Sequence, residues 1–247
     1  MSEENIKDLY EINLANIDRR TNAGIERLKE DYELKELDVG DLEEIPVHGD
    51  IYKVKQYEIV WVGNLLVMKS SMPGEMQMDT FTLTPYFKNL PLFTTDYMYI
   101  GEKRMFLNEI YNLVDYQDDL YKGYIDKFAE NSSITEDLDD MPMQECWYDN
   151  IRPVLVAKEA TPEEDDLIVR QFLANLETFI EMENESPELD KEARKAKWEC
   201  NHEYARRLVD DGGVSTELFV KAIGEEKTKD FFFSVFFASD RYLEEDI

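Results

Sequence analysis

Between Ile51 and Val114 apolar residues recur at every second position, and the turns are too short for anything but a reversal of the chain. Ile51–Trp61 and Leu65–Ser70 are joined through Val62-Gly63-Asn64, Pro73-Gly74 leads into Glu75–Thr84, and Gly101-Glu102-Lys103 divides Asn89–Val114 into a hairpin. Parallel neighbours need a crossover of a dozen residues or more, so strands joined this way lie antiparallel. The spacing predicts a meander of about five strands.

The flanks read as helix. Residues 2–31 repeat Ile6, Leu9, Ile17, Ile25 and Leu28 at helical spacing, interrupted near Thr21-Asn22. Residues 32–50 lose the pattern and carry Gly40, Pro46 and Gly49, which predicts a connecting loop. A short helix is expected over Leu120–Phe128 within an acidic, irregular stretch, and Trp147–Lys158 has the character of an edge strand, with Pro153 inside it. Thr161-Pro162-Glu163-Glu164 reads as a helix start, followed by Leu167, Ile168, Phe172, Leu176 and Ile180. Ser186-Pro187-Glu188 opens the next helix, which ends before Gly212-Gly213. Short helices over 216–223 and 227–237 close the chain, and the aromatic run Phe231–Phe237 predicts burial on all sides. No linker or repeat divides the chain, so one globular domain is expected, a helix-flanked antiparallel sheet (α+β) over 51–247 preceded by the helix and loop of 1–50.

Charge excludes several functions. Against 27 Lys and Arg stand 56 Asp and Glu, a formal net charge of -29. Such a surface lacks the clustered bases that nucleic acid or an anionic membrane requires. No apolar run approaches the ~18 residues of a membrane span, and the acidic start M-S-E-E-N-I-K-D has no signal-like apolar core. A soluble, cytoplasmic monomer is expected. The two cysteines, Cys146 and Cys200, have neither disulfide-framework nor metal-ligand spacing and are expected to be reduced thiols. There is no phosphate-binding glycine motif, dinucleotide fingerprint or serine-hydrolase elbow.

Two strand carboxylates stand out. Asp96 shares strand parity with Leu92, Met98 and Ile100, and Asp79 with Phe81 and Leu83. Acids aimed at an apolar layer have raised proton affinity and suit proton donation near neutrality, and on consecutive strands the two could face one pocket. With the faces reversed, both meet solvent instead. Glu199-x-x-His202 matches half of a di-iron helix signature, but the only other histidine, His48, lies in a loop, so no metal site is expected. Bases concentrate on one helix: Lys191, Arg194, Lys195, Lys197, Arg206 and Arg207. They either pair with acids at helical spacing or form a docking patch for an acidic partner, with anchors such as Arg206 for a substrate carboxylate.

The segment N-L-P-L-F-T-T-D-Y-M-Y-I-G-E-K-R resembles a stretch of the ferredoxin-dependent bilin reductases, in which Leu-Pro-hydrophobic-Phe leads three residues later to Asp and then a hairpin turn. The closing segment, from W-E-C-N-H-E-Y-A-R-R-L-V-D-D-G-G to D-F-F-F-S-V-F-F, is similar to that family's last helices. The resemblance covers roughly residues 51–240 and implies a three-layer α/β/α sandwich, the phycocyanobilin:ferredoxin oxidoreductase-like type. It implies reduction of biliverdin or another linear tetrapyrrole through radicals, with electrons from reduced ferredoxin or a flavodoxin and no cofactor of its own. Carried onto this chain, it makes Asp96 and Asp79 proton donors, Asp211 the mobile loop acid and Lys158 a propionate anchor. Met78, Phe81, Phe93 and Met98 would line a flat apolar pocket, and Lys191, Arg194, Lys195 and Lys197 would receive the donor. Asp stands at 79 where the family has His or Asn, and no Glu occurs around Val67–Lys69. Those departures support the alternative, a protein of this fold that binds a tetrapyrrole without reducing it.

Overall fold

The computed structural model describes residues 3–47, 49–213 and 216–243, with side chains from residue 7 onward. Its centre is an antiparallel sheet. The expected meander is β3 (Asp50–Ile59), β4 (Gly63–Ser70), β5 (Met76–Pro85), β6 (Leu92–Ile100) and β7 (Lys103–Tyr111). β9 (Val154–Ala160) pairs with β7, and the two-residue β8 (Asp139–Asp140) lies beyond it. Pro153 precedes β9 rather than interrupting it, so its missing N–H leaves no gap in the ladder.

Residues 32–50 are not the expected loop. They contain β1 (Leu34–Leu37) and β2 (Glu44–Val47), which pair end to end along the free edge of β3. Four-residue strands carrying Lys and Glu satisfy that edge while keeping it unattractive to other chains, and strands so short leave little periodicity to read.

Six α-helices lie among the described residues: α1 (Glu3–Asp31), α2 (Asp119–Glu130), α3 (Asp165–Glu185), α4 (Lys191–Asp210), α5 (Thr216–Ile223) and α6 (Glu225–Asp230), the last continuing into a π-type turn, Phe231–Phe236. The start of α4 shifts from the expected Ser186 to Asp190, whose carboxylate accepts the Ala193 N–H at 2.9 Å, while Ser186 closes α3. No helix among the described residues is long and apolar enough to cross a membrane.

The helices cover both faces of the sheet, giving three layers. On one face α1, α2 and α3 bury Val67, Phe81, Phe93, Tyr97 and Phe106 against Ile17, Phe128 and Phe172. On the other, α4, α5 and the Phe231–Phe237 run bury Val54, Leu66, Met68, Met78 and Leu92. α1 comes close because Gly24 is on its inner stripe; a Cβ there would sit 2.6 Å from the Phe172 ring.

The same stripe carries Arg20. It is fully buried, and its guanidinium pairs with the equally buried Asp79 of β5, donates to Thr95 Oγ1 at 3.1 Å and lies 3.4 Å from the Tyr97 ring centroid. A carboxylate this deep persists only with a partner, so Asp79 fastens α1 to the centre of the sheet. Replacing Asp79 with Ala is expected to cost about 3–5 kcal/mol, because it leaves a buried guanidinium unpaired. The joint change Arg20→Met with Asp79→Leu is expected to recover most of that loss; urea denaturation of both variants provides the check.

Candidate functional site

The register decides which side chains share a face. Thr80 stands opposite Asp96, whereas Asp79 stands opposite Tyr97. Directly opposed residues of an antiparallel pair point the same way, so Asp79 and Asp96 lie on opposite faces of the sheet. The expectation that both face one pocket is thereby corrected, and the expected lining divides with them. Met78 and Met98 are cross-strand partners on the Asp96 face. Phe81 and Phe93 belong to the other face, packed on Phe172 with ring centroids 5.1 and 6.3 Å away.

Burial is uneven between the two faces. On the α1/α3 face of β6, β7 and β9, Tyr97, Phe106, Asn108 and Val156 are buried, whereas on the other face Asp96, Met98, Met105, Leu107, Leu155 and Ala157 remain half-exposed. The overlying helices therefore cover β3–β5 and, through Tyr204 of α4 against Tyr111, the Leu92/Tyr111 end of β6 and β7, and leave the Asp96 end of this face as the floor of a cleft. A hollow of about 280 Å³ between Leu155, Ala157, Met141 and Met143 adjoins it.

Asp96 is the acid of that floor. Burial raises its pKa above the usual carboxylate range, while a 2.5 Å hydrogen bond from Thr80 Oγ1 and the charge of Arg20 act against the shift. A side chain that is desolvated yet still half-exposed sits in a recess, where a ligand could reach it. One strand further on, buried Glu109 faces the same way: it is opposite Thr94, two positions from the Asp96–Leu107 pair. Its Oε1 accepts from Arg152 Nη1 at 2.5 Å and from the Tyr111 hydroxyl at 2.9 Å. Burial raises the Glu109 pKa, and the charge of Asp96 raises it further. Sequence reasoning missed both Glu109 and Arg20. The signal for Glu109 was present, because the tight turn pairs Ile100 with Lys103 and counting back places residues 94–109 and 96–107 opposite each other.

The remaining expected site residues are dispersed. Lys158 projects to the α1/α3 side, where its Nζ donates to the Leu138 carbonyl at 3.0 Å and meets Asp140 at 2.7 Å. Asp211 caps α4 and accepts from Arg207 Nε at 2.8 Å. Arg206 is half-exposed and paired with Glu203 and Asp210. Of the docking bases, Lys191 is exposed and Arg194 and Lys195 are half-buried.

Lys197 is a correction: it is fully buried and donates to the Leu90 and Leu113 carbonyls, so it ties α4 to the loops flanking β6 and β7 rather than meeting a partner. His202 stacks on Trp198 and contacts Ser239 Oγ at 3.1 Å, and His48 lies outside the described residues. Among the described residues no group of three or more His, Cys, Asp or Glu is placed to hold a metal. Cys146 and Cys200 are both unpaired and half-buried.

Fold and cleft together define a three-layer α/β/α sandwich with one acid-bearing face open beneath its C-terminal helices. No protein-family model matches the chain, and no curated protein matches it. Among solved structures it is similar to phytochromobilin synthase from tomato in complex with biliverdin, with a TM-score of 0.74 and 14% sequence identity, covering 91% of this chain and 83% of that one. At that identity the likeness establishes the shared fold.

Burial pushes the Lys197 pKa down to about 7. In the unfolded chain it returns to about 10.4, so between these values the native state has released a proton that the unfolded state still holds. The Lys197 contribution to stability therefore increases as pH rises through that window and is lost as pH falls toward 7. The stability difference between the parent and Lys197→Met, from urea denaturation at pH 6.5 and 9.5, is expected to move in favour of the parent at the higher pH.

Proposed function

We propose that the protein binds a linear tetrapyrrole of the biliverdin type across the open half of the sheet and reduces it by alternating single-electron and proton transfers, with Asp96 as proton donor. The observation that carries this reading is Asp96 itself, a carboxylate of raised proton affinity set in a methionine-rich apolar floor, on a fold whose solved neighbour holds biliverdin. Met98, Met105 and Leu107 offer a flat, polarizable surface to a conjugated ligand.

Saturating one double bond takes up two electrons and two protons. A one-electron donor protein, reduced ferredoxin or a flavodoxin, supplies the electrons, and the proposed reaction calls on no cofactor of the chain's own. Each electron places negative charge on the pigment. The Asp96 carboxyl answers it with a proton, becomes a carboxylate and is reprotonated from water before the next transfer. Asp79, paired with Arg20 on the far face, acts in the scaffold rather than as a donor.

A second reading, a carrier that binds the pigment without reducing it, is favoured by the residue opposite Asp96. Thr80, which cannot serve as an acid near neutrality, occupies the place that a second proton donor would take.

The first measurement is the visible spectrum of biliverdin on addition of protein: a shifted, saturable band is expected, and an unchanged spectrum removes the substrate class. Anaerobic addition of reduced ferredoxin then separates the readings, since the reductase bleaches or shifts the bound band and the carrier leaves it alone. Asp96→Asn is expected to bind biliverdin within a few-fold of the parent and to turn over about 10²–10⁴-fold more slowly. Full activity in that variant would assign proton delivery elsewhere.

A further inference from the structure

We infer that Glu109 is a positioning residue of this cleft, fixed by Arg152 and Tyr111 one strand away from Asp96 so that it keeps the Asp96 proton in place between electron deliveries. This rests on the reading given under Proposed function and deepens it.

Asp96 and Glu109 are diagonal neighbours on adjacent strands, and diagonal positions lie about 7–8 Å apart with side chains in reach of one another. The groups facing Glu109 come from every element around it: Asp96 from β6, Tyr111 from its own strand, Arg152 and Tyr148 from the segment before β9, and Tyr204 from α4. Only Arg152 among them is a cation, and its other nitrogen is engaged by Asp149 at 2.5 Å. The two carboxylates in this desolvated recess thus face Arg152 on the Glu109 side and, on the Asp96 side, only the field of Arg20, which is already paired with Asp79. Ionising both is costly, and the pair holds a proton at a pH where an ordinary Asp or Glu has lost it. Burial and the Asp96 charge raise Glu109, but Arg152 and Tyr111 both donate to it and favour its anionic form, whereas Asp96 accepts from the Thr80 hydroxyl, so the retained proton is assigned to Asp96.

In the proposed reaction Asp96 gives this proton to the pigment anion. Two adjacent carboxylates then repel, and the nearest available proton, from water in the open cleft, restores the Asp96 carboxyl. Over two cycles two electrons arrive from the donor protein and two protons from water.

The test is a pH titration of the full chain without pigment, with ¹³C-labelled side-chain carboxyls followed by NMR. The parent is expected to show Asp96 and Glu109 titrating in two mutually dependent steps; two independent single-step curves overturn the inference even if no variant folds. In Glu109→Gln the Asp96 midpoint is expected to fall by about one unit, roughly tenfold in proton affinity, whereas Glu109→Asp keeps it near the parent value. An unmoved midpoint in Glu109→Gln, or an equal fall in Glu109→Asp, overturns it. In turnover with biliverdin and reduced ferredoxin, Glu109→Gln is expected to move the alkaline limb of kcat to lower pH while KM stays within about twofold. If biliverdin binds neither parent nor variant, the functional reading fails, while the titration still decides the coupling.

Discussion

The arrangement of the molecule depends on one buried ion pair. Asp79 lies at the centre of the sheet with no solvent access, and a carboxylate in that position requires a cation brought to it. Arg20 provides it from α1 and is itself sandwiched near the rings of Tyr97 and Phe172. Because the pair must form, α1 cannot lie elsewhere. Gly24 lets it settle onto Phe81 and Phe172, and the apolar residues of that face close around it as core. Whatever ligand surface the sheet offers is then confined to the opposite face.

On that opposite face the polar groups are arranged differently. Thr82 and Thr94 bond each other at 2.7 Å, Thr80 bonds Asp96, and Glu109 is held by Arg152 and Tyr111. Glu109 is ion-paired with Arg152, whereas Asp96 is hydrogen-bonded to a hydroxyl with no cation in contact. Asp79 meets a full counter-charge at zero exposure; Asp96 meets a hydroxyl at partial exposure. The same residue type therefore anchors the structure in one place and stands in the other as a half-exposed acid of raised proton affinity, and the difference lies in the partner and the exposure.

Sequence periodicity carried the architecture well where turns were tight. The meander, α2 and α5 follow from spacing and punctuation in the chain, whereas the aromatic run is buried only in part, with Phe233 and Phe236 half-exposed. The hairpin turn at Gly101-Glu102 even fixes the β6–β7 register, and Glu109 could have been found by counting. The β5–β6 register was not legible in the same way. Tyr86–Pro91 joins those strands as an extended connection, which leaves the offset between them undetermined, and a slip of one residue moves a side chain to the other face. That slip separates Asp79 from Asp96. Lys197 misled for a related reason: a lysine among other bases on a polar helix reads as surface, and nothing in its neighbours reveals the two backbone carbonyls that draw it inward.

Charge bears on the proposed reaction at two scales. A chain of formal charge -29 repels an acidic donor at a distance, but at physiological salt that field is screened beyond about 8 Å, and docking is governed by the groups within that range. Arg206 and Arg207 are already matched by carboxylates of their own helix, which leaves the first turns of α4, with Lys191 and Arg194, as the better local ground. Inside the cleft the same physics runs the other way. An electron delivered to a pigment beside the half-exposed Asp96 and the buried Glu109 meets negative charge at short range in a medium that screens poorly. Electron transfer into such a site is favourable only if a proton accompanies it, and an acid that has kept its proton because of its neighbours is the group placed to supply it.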